Sequence, residues 1–238
     1  MKPFHFASLF LLLSIVTSCN KEPDRIKEVP DGLTPSTPCP MLSDRLRTLL
    51  PRTDCTKNHP ILFNDTTLKK IILTKESEVY VTYIQQSAVY ANTFGWYSYI
   101  DGAKPSNASD ITLHVLFPNI TEPPLSNGDK MQVGNQKFPA GTVIEFFLIE
   151  QGWQNGFINY KGLTLYTDPS FNTNHFQQHI LFKEKDCGNI VLGFEDIIQD
   201  EVTNPFWDND FNDAVFTISD NNGEFQTTSF ETAKMAVL

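Results

Sequence analysis

Short runs of apolar, β-branched and aromatic residues recur along most of this chain, and turn residues separate them. In the first clear run, Val79, Val81 and Tyr83 occupy every second position, as in a strand with one buried face. Further candidate strands are residues 95–100, 111–117, 142–149, 163–166, 180–182, 189–195 and 213–219. No long amphipathic helical pattern lies between them. The pattern therefore predicts an all-β fold, a jelly-roll-like antiparallel β-sandwich.

A different spacing precedes the strands. Leu42, Leu46 and Leu49 are separated by four and three residues, which places them on one face of a helix. Ser43 is a candidate N-cap, and Pro51 would end the helix. The sequence therefore predicts a short helical segment over residues 39–60, followed by a single sandwich domain over residues 61–238.

The first residues have the features of an export signal. Lys2 precedes a mostly apolar run over residues 6–16, which is shorter than the roughly 20 residues that a membrane-spanning helix needs. The run ends in Val16-Thr17-Ser18-Cys19, which resembles the lipobox of bacterial lipoproteins. We therefore expect a lipoprotein signal peptide over residues 1–18 and lipidation of Cys19, which would attach the chain to a membrane. The alternative is an ordinary secretory signal with a cysteine at its end.

Residues 19–38 follow this segment and are rich in proline and charge, with little apolar surface to bury. Such a composition predicts a flexible tether. Lys21 and Glu22 resemble a signal that directs some lipoproteins to the outer face of the outer membrane, although a plain solvated tether fits as well. The expected location is the cell envelope, with a lipid anchor in the outer membrane and the periplasmic or outward-facing leaflet left open.

Three cysteines remain besides Cys19, and export would permit a disulfide. Cys39 and Cys55 flank the helical segment and are the predicted pair, which leaves Cys187 free or buried. The alternative is that all three are reduced.

The charge balance excludes one class of partner. The chain has 18 basic and 28 acidic side chains and a formal net charge of −10. Because nucleic-acid phosphates require a basic surface, we expect no nucleic-acid partner.

The acidic residues concentrate near the C-terminal end, where residues 188–232 contain ten acids and no Lys or Arg. Carboxylates that crowd together beside apolar strand residues repel each other and lose hydration, and a bound cation would remove both costs. Oxygen ligands without His or Cys favour calcium. The candidate metal ligands are Glu195, Asp196, Asp208, Asp210, Asn212 and Asp213. Solvated loop acids are the competing interpretation.

Asp208, Asp210 and Asn212 have the spacing of the first ligands in an EF-hand loop. However, the sixth position is Asp213 rather than Gly, and the twelfth is Ser219 rather than Glu. The pattern therefore predicts a different acidic loop, closed by Glu195 and Asp196 at the end of the preceding strand.

Two motifs, residues 191–196 (VLGFED) and residues 208–216 (DNDFNDAVF), resemble domain-of-unknown-function family 4114. Residues 79–83, 90–97 and 138–142 are similar to the family's other blocks, so the likeness spans roughly residues 75–220. The resemblance implies a β-sandwich of exported and surface proteins, including adhesins. It also implies a calcium-binding role for Glu195, Asp196, Asp208, Asp210 and Asp213.

The predicted function is non-enzymatic surface recognition or adhesion, with a glycan as the favoured ligand class and a cell-surface protein as another. Aromatic residues are frequent and could stack on sugars: Trp96, Tyr97, Tyr99, Trp153, Phe157, Tyr160 and Trp207. Core packing is the competing role for them. The alternative function is a glycosidase-like hydrolase, in which Glu195 or Asp196 would act with Asp210 across a cleft.

Overall fold

The alternation of apolar and polar residues produces two stacked sheets. A computed structural model describes residues 25–52, 54–198, 208–220 and 228–238. Within these residues the strand pairs are antiparallel, except that the last strand runs parallel to its neighbour. The prediction of an all-β antiparallel sandwich is therefore confirmed. The predicted signal peptide and Cys19 lie outside the described residues.

The two sheets differ in size. In spatial order the seven-stranded sheet contains β1 (Thr34–Pro35), β6 (Asp129–Gln132), β3 (Val79–Gln85), β11 (Ala214–Asp220), β10 (Ile190–Phe194), β9 (His179–Lys183) and β12 (Ala236–Val237). The five-stranded sheet contains β2 (Ile71–Ile72), β7 (Thr142–Ile149), β4 (Thr93–Ile100) and β5 (His114–Phe117), with β8 (Thr164–Tyr166) beside β7.

Aromatic rings join the two sheets at the centre of the sandwich. Phe94 on β4 stacks on Phe216 of β11, and their ring centroids are 4.0 Å apart. Phe194, the last residue of β10, meets Phe94 edge-on with centroids 6.1 Å apart. These rings are fully buried, so the ends of β10 and the start of β11 are fixed by apolar packing between the layers.

The five-stranded sheet is covered on its outer face as well. Tyr97 and Tyr99 of β4 pack there with Val143 and Phe147 of β7 in a second apolar cluster. Strand β7 is consequently buried at all eight positions. One of these positions, Glu145, carries a carboxyl group on the outer face.

The predicted helical segment is present. Helix α1 (Leu42–Leu49) packs Leu42, Leu46 and Leu49 against the outer face of the seven-stranded sheet, and α2 (Cys55–Asn58) follows. Helix α1 begins one residue before Ser43, and no side chain caps it, so the predicted N-cap is wrong. Short 3₁₀ helices span Pro60–Phe63, Ala108–Asp110, Pro169–Phe171 and Thr173–His175. Every helix in the described ranges is too short or too polar to cross a membrane.

Part of the predicted tether lies on the sandwich. Thr34 and Pro35 pair with β6, and the Ser36 backbone N–H donates to the Gly128 carbonyl at 2.8 Å. Farther upstream, the Ile26 N–H donates to the Gly156 carbonyl at 2.7 Å. The structure thus differs from the predicted flexible tether here, because backbone hydrogen bonds order a segment that buries little apolar surface.

The predicted Cys39–Cys55 disulfide is wrong. Cys39 pairs with Cys187, with Cα atoms 5.9 Å apart, and Cys55 is a buried free thiol. The cause is the β9–β10 hairpin, whose turn brings Cys187 beside Cys39, three residues before α1. Arg45 of α1 reinforces this contact, since its guanidinium lies 3.1 Å from the Glu184 carboxylate and 3.0 Å from that of Asp186.

We predict that Cys39→Ala/Cys187→Ala lowers the free energy of unfolding by about 2–5 kcal/mol, because the bridge closes a long loop. Urea unfolding of the soluble domain, meaning the chain without the predicted signal peptide and Cys19, measures this, with reduced wild type as the comparison. Non-reducing peptide mapping should link Cys39 to Cys187. A linked Cys39–Cys55 peptide would contradict the assignment.

Candidate metal centre

The candidate ligands stand at one end of the β10–β11 pair. These strands are antiparallel neighbours, with Phe194 opposite Ala214. Glu195, which directly follows β10, therefore lies at the same end of the strand pair as the loop over residues 208–213, which leads into β11. This register brings together two acidic motifs that are separated along the chain.

Three of the six predicted ligands form the closest group. Glu195, Asp208 and Asp210 each have a carboxylate oxygen within 4.8 Å of those of the other two. Glu195 and Asp210 are buried, whereas Asp208 is exposed. A cluster with two buried members and one exposed member could receive an ion from solvent.

Asp196 and Asp213 form a second pair in the same region. Their carboxyl groups hydrogen-bond to each other, and Asp213 Oδ2 also accepts from the Asp196 N–H at 2.9 Å. Asn92 donates its side-chain amide to Asp196 Oδ2 at 2.7 Å. This pair is therefore held by hydrogen bonds within the protein.

Asn212, the remaining predicted ligand, contacts one of the three clustered acids, since its side-chain amide donates to Asp210 Oδ2 at 2.5 Å. Its side-chain oxygen accepts a hydrogen bond from Ser87, and its backbone N–H donates to Asp210 Oδ1 at 3.0 Å. Asn212 thus orients Asp210.

The loop that carries Asp208 and Asp210 has an unusual backbone. Asn209 and Phe211 have φ values of 59° and 57°, in the left-handed region that side chains other than glycine rarely adopt. The Phe211 N–H donates to Glu195 Oε1 at 2.6 Å. A Cβ atom at Gly193 would lie 2.4 Å from the Phe211 carbonyl oxygen, so β10 must carry glycine at this position.

The helical segment holds this loop from the other side. Asn209 donates its side-chain amide to Asp54 Oδ1 at 2.7 Å and accepts from the Cys55 N–H at 2.8 Å. The ring of Phe63 contacts that of Phe211, with centroids 5.4 Å apart. These contacts fix the strained residues of the loop.

The buried carboxyl groups of this cluster have raised pKa values, because they lose hydration without a cationic partner among the described residues. Burial raises the pKa of Asp210 to about 7. It also raises the pKa of Glu195 and of Asp213, and in each case a neighbouring aspartate charge adds to the effect. No described Lys, Arg or His lines the adjoining cavity. The cluster therefore favours either protons or a bound cation.

Cys55 lies behind the cluster but is not suited to bind an ion. Burial, and then the charge of Asp210, raises the pKa of its thiol to about 12. The thiol therefore stays protonated at neutral pH, whereas metal ligation requires the thiolate.

The cluster opens to a cleft of about 340 Å³. We call this the acidic cleft; its walls are Ser87, Ala88, Val89, Tyr90, Glu195, Asp196, Ile197, Asp208 and Asp213. Val89 is 96% exposed, which leaves an apolar side chain on the rim. The residues over 199–207, including Trp207, lie outside the described residues.

The sequence did not identify three residues that shape this centre: Asn92, Ser87 and Asp54. Asn92 lies within one of the motifs that resemble the family, so the resemblance carried a signal for it. Ser87 and Asp54 contact the loop across long sequence separations, and no local pattern marks them.

Three of the seven aromatic residues that could stack on sugars are buried, whereas Trp153 and Phe157 are half-buried. Trp96, Tyr97 and Tyr99 are buried, and Trp96 stacks on His114 within the sheet. Tyr160 is 58% exposed. Core packing therefore accounts for Trp96, Tyr97 and Tyr99.

The fold and the site together define a β-sandwich domain with an acidic loop at one strand end. The family model described as Domain of unknown function (DUF4114) matches residues 138–221, which confirms the resemblance over that segment. The match includes the three clustered acids, whereas residues 79–83 and 90–97 lie outside it. Neither a curated protein nor a solved structure matches the chain significantly.

We predict that Asp54→Ala lowers the free energy of unfolding by about 1–2 kcal/mol, because Asp54 caps α2 and holds Asn209. Asp44→Ala is the control, since its ion pair with Arg47 is exposed and should contribute less than about 0.5 kcal/mol. Urea unfolding of both variants measures the difference. Equal losses would contradict the role assigned to Asp54.

Proposed function

We propose that this chain is a lipid-anchored cell-envelope protein whose β-sandwich binds calcium and serves in surface recognition or adhesion. The observation that carries the calcium site is the grouping of Glu195, Asp208 and Asp210 within 4.8 Å. Two of these carboxylates are buried, and the segment that supplies them contains no Lys or Arg.

Calcium suits this group better than other common cations. All three candidate ligands supply hard oxygen atoms, and calcium accepts such ligands in irregular geometry, with water completing its shell. Magnesium demands a near-octahedral arrangement, and zinc favours His and Cys. The ion would replace the protons that burial otherwise favours on these carboxyl groups.

A hydrolase that uses the same carboxylates is the alternative, and the geometry supports it less. Retaining and inverting glycosidases place their two carboxyl groups about 5–5.5 Å and about 6.5–9.5 Å apart, respectively. Here three acids have oxygens within 4.8 Å of each other. A glycosidase needs only two carboxyl groups, whereas the third acid of this group would supply a further ligand for an ion.

The anchor and the location rest on the sequence of residues 1–22. A diacylated Cys19 would hold the domain at a membrane, and the ordered loop would then face molecules at the cell surface. A glycan is our favoured ligand class, and a cell-surface protein is the other. Calcium-dependent retention on a glycan array would support recognition, whereas turnover lost in Glu195→Gln would support the hydrolase.

We predict that calcium raises the unfolding temperature of the soluble domain by about 5–10 °C at about a hundredfold excess over the dissociation constant. Magnesium should shift it less. In Asp210→Asn the calcium shift should disappear, while the stability in chelator stays equal or rises, because one buried charge without a basic partner is removed. Differential scanning calorimetry measures both effects.

Glu76→Gln is the matched control for that experiment. Glu76 is exposed and lies outside the cluster, so the variant loses the same charge and should keep the full calcium shift. The calcium site would be refuted if wild type showed no shift, or if Asp210→Asn kept it.

We predict that Cys19→Ala moves the protein from the membrane fraction to the soluble fraction of the producing bacterium, because the lipid attachment point is lost. Immunoblotting of separated fractions measures this, and metabolic labelling with a fatty acid should mark only the parent. An unlabelled parent that remains soluble would contradict the anchor.

A further inference from the structure

A second cleft, of about 350 Å³, opens beside the outer face of the five-stranded sheet. We call it the lysine cleft, because Lys69, Lys70, Lys104 and Lys234 line it, together with the acids Asp65, Glu145 and Asp168. It shares no lining residue with the acidic cleft. Four of the chain's 18 basic residues therefore surround one cavity in a protein of net charge −10.

Glu145 is an unusual residue for its position. It lies in the middle of β7, opposite Tyr97, and is only 3% exposed. A carboxyl group on an otherwise apolar sheet face is costly to desolvate. Burial accordingly raises the pKa of Glu145 to about 7. An apolar side chain here would avoid that cost, so the carboxyl group calls for a role other than packing.

The Glu145 carboxyl group is oriented by two hydroxyl groups. Tyr99 donates to Oε1 at 3.0 Å, and Thr167 donates to Oε2 at 2.5 Å. Because each carboxylate oxygen has two acceptor positions, each retains one for a hydrogen-bond donor from a ligand in the cleft.

The lysines provide positive charge that the protein neutralises only in part. Lys104 pairs with Asp168 at 2.8 Å, but Lys70 is 4.0 Å from Asp101 and lies over the ring of Tyr99. Lys69 and Lys234 form no ion pair with a described residue, although the charge of Asp65 acts on Lys69. Burial lowers the pKa of Lys69, and an anion in the cleft would offset that cost.

We infer that the lysine cleft binds an acidic saccharide, a ligand whose carboxylate meets the lysine ammonium groups and whose hydroxyl groups donate to Glu145. The volume lies near the lower end of the roughly 300–1,000 Å³ typical of small-molecule sites. A terminal uronic acid with one neighbouring sugar is the size that such a cleft accommodates. The inference gives the glycan of the proposed function a chemical class, and it does not depend on calcium.

The lysines of the cleft require the carboxylate of the ligand, and Glu145 requires its hydroxyl groups. A simple anion such as acetate or sulfate would satisfy the lysines but would offer no hydrogen-bond donors to Glu145. A neutral sugar would satisfy Glu145 but would bring no negative charge to Lys69 and Lys234, which form no ion pair with a described residue. An amino acid would bring an ammonium group of its own among four lysines. Only a hydroxylated anion matches the charge and the hydrogen-bonding capacity of the cleft together.

The test is isothermal titration calorimetry of the soluble domain with uronic-acid oligosaccharides of two to four residues. The panel contains glucuronate, galacturonate and mannuronate oligomers, with the matching neutral hexose oligomers, sodium acetate and sodium sulfate as comparisons. Chelator is present throughout, so that calcium cannot bridge the uronates. We expect at least one uronate to bind at least tenfold more tightly than its neutral counterpart and than either simple anion. Raising the salt concentration from about 50 to about 200 mM should weaken uronate binding.

Lys69→Met/Lys234→Met should weaken uronate binding at least tenfold, because both side chains are in the cleft and neither forms an ion pair with a described residue. Lys137→Met/Lys161→Met removes the same charge from exposed positions outside the cleft and should bind as wild type does. Thermal unfolding establishes that both double variants are folded.

Three results would overturn the inference: no uronate binds, neutral or inorganic comparisons bind equally well, or both double variants lose affinity alike. The Asp210→Asn variant separates this outcome from that of the calcium site. This variant should retain uronate binding in chelator. Absence of a calcium shift in wild type would refute the calcium site alone, and absence of uronate binding would refute the uronate site alone.

Discussion

The stacking of Phe94 on Phe216 is the contact on which the geometry of the sandwich depends. It joins the two sheets with ring centroids 4.0 Å apart, and Phe194 closes the same aromatic group from β10. Because Phe194 directly precedes Glu195, packing in the core determines the position of Glu195 at the end of β10. The dispersion and burial energy of these rings thus opposes the repulsion among the carboxylates that they bring together.

Buried carboxyl groups occur in two places, and the protein stabilises them differently. Glu145 receives two hydroxyl donors and has lysines nearby, so its hydrogen bonds are largely internal. Glu195 receives a backbone N–H but otherwise faces Asp208, Asp210 and Asp213. The first arrangement can remain as it is in the absence of a ligand, whereas the second leaves like charges opposed. The two clefts therefore differ in charge: the acidic cleft favours a positive ligand, whereas lysines give the other cleft positive charge near Glu145.

Local sequence patterns predicted the parts of the structure that depend on local interactions. The strand over residues 142–149 was predicted with its observed bounds, since a long β-branched and aromatic run specifies it. Strand β6 was missed because its first residue, Asp129, reads as part of a turn. The contact between Asp54 and Asn209 spans 155 residues, and the bridge to Cys187 spans 148. Such long-range contacts depend on the completed fold, and no local spacing predicts them.

The segment before the sandwich has more than a spacing role. Its α2 helix contacts the acidic loop through Asp54 and Cys55, and Phe63 packs on Phe211, while the disulfide fastens its beginning to the β9–β10 turn. The region matched by the family model, residues 138–221, contains none of these helical residues. An ion that binds an already ordered loop need not offset the entropy of ordering it. We therefore regard the helical segment as part of the candidate metal centre, because its contacts hold Asn209 and Phe211 in the strained conformations of the loop that carries Asp208 and Asp210.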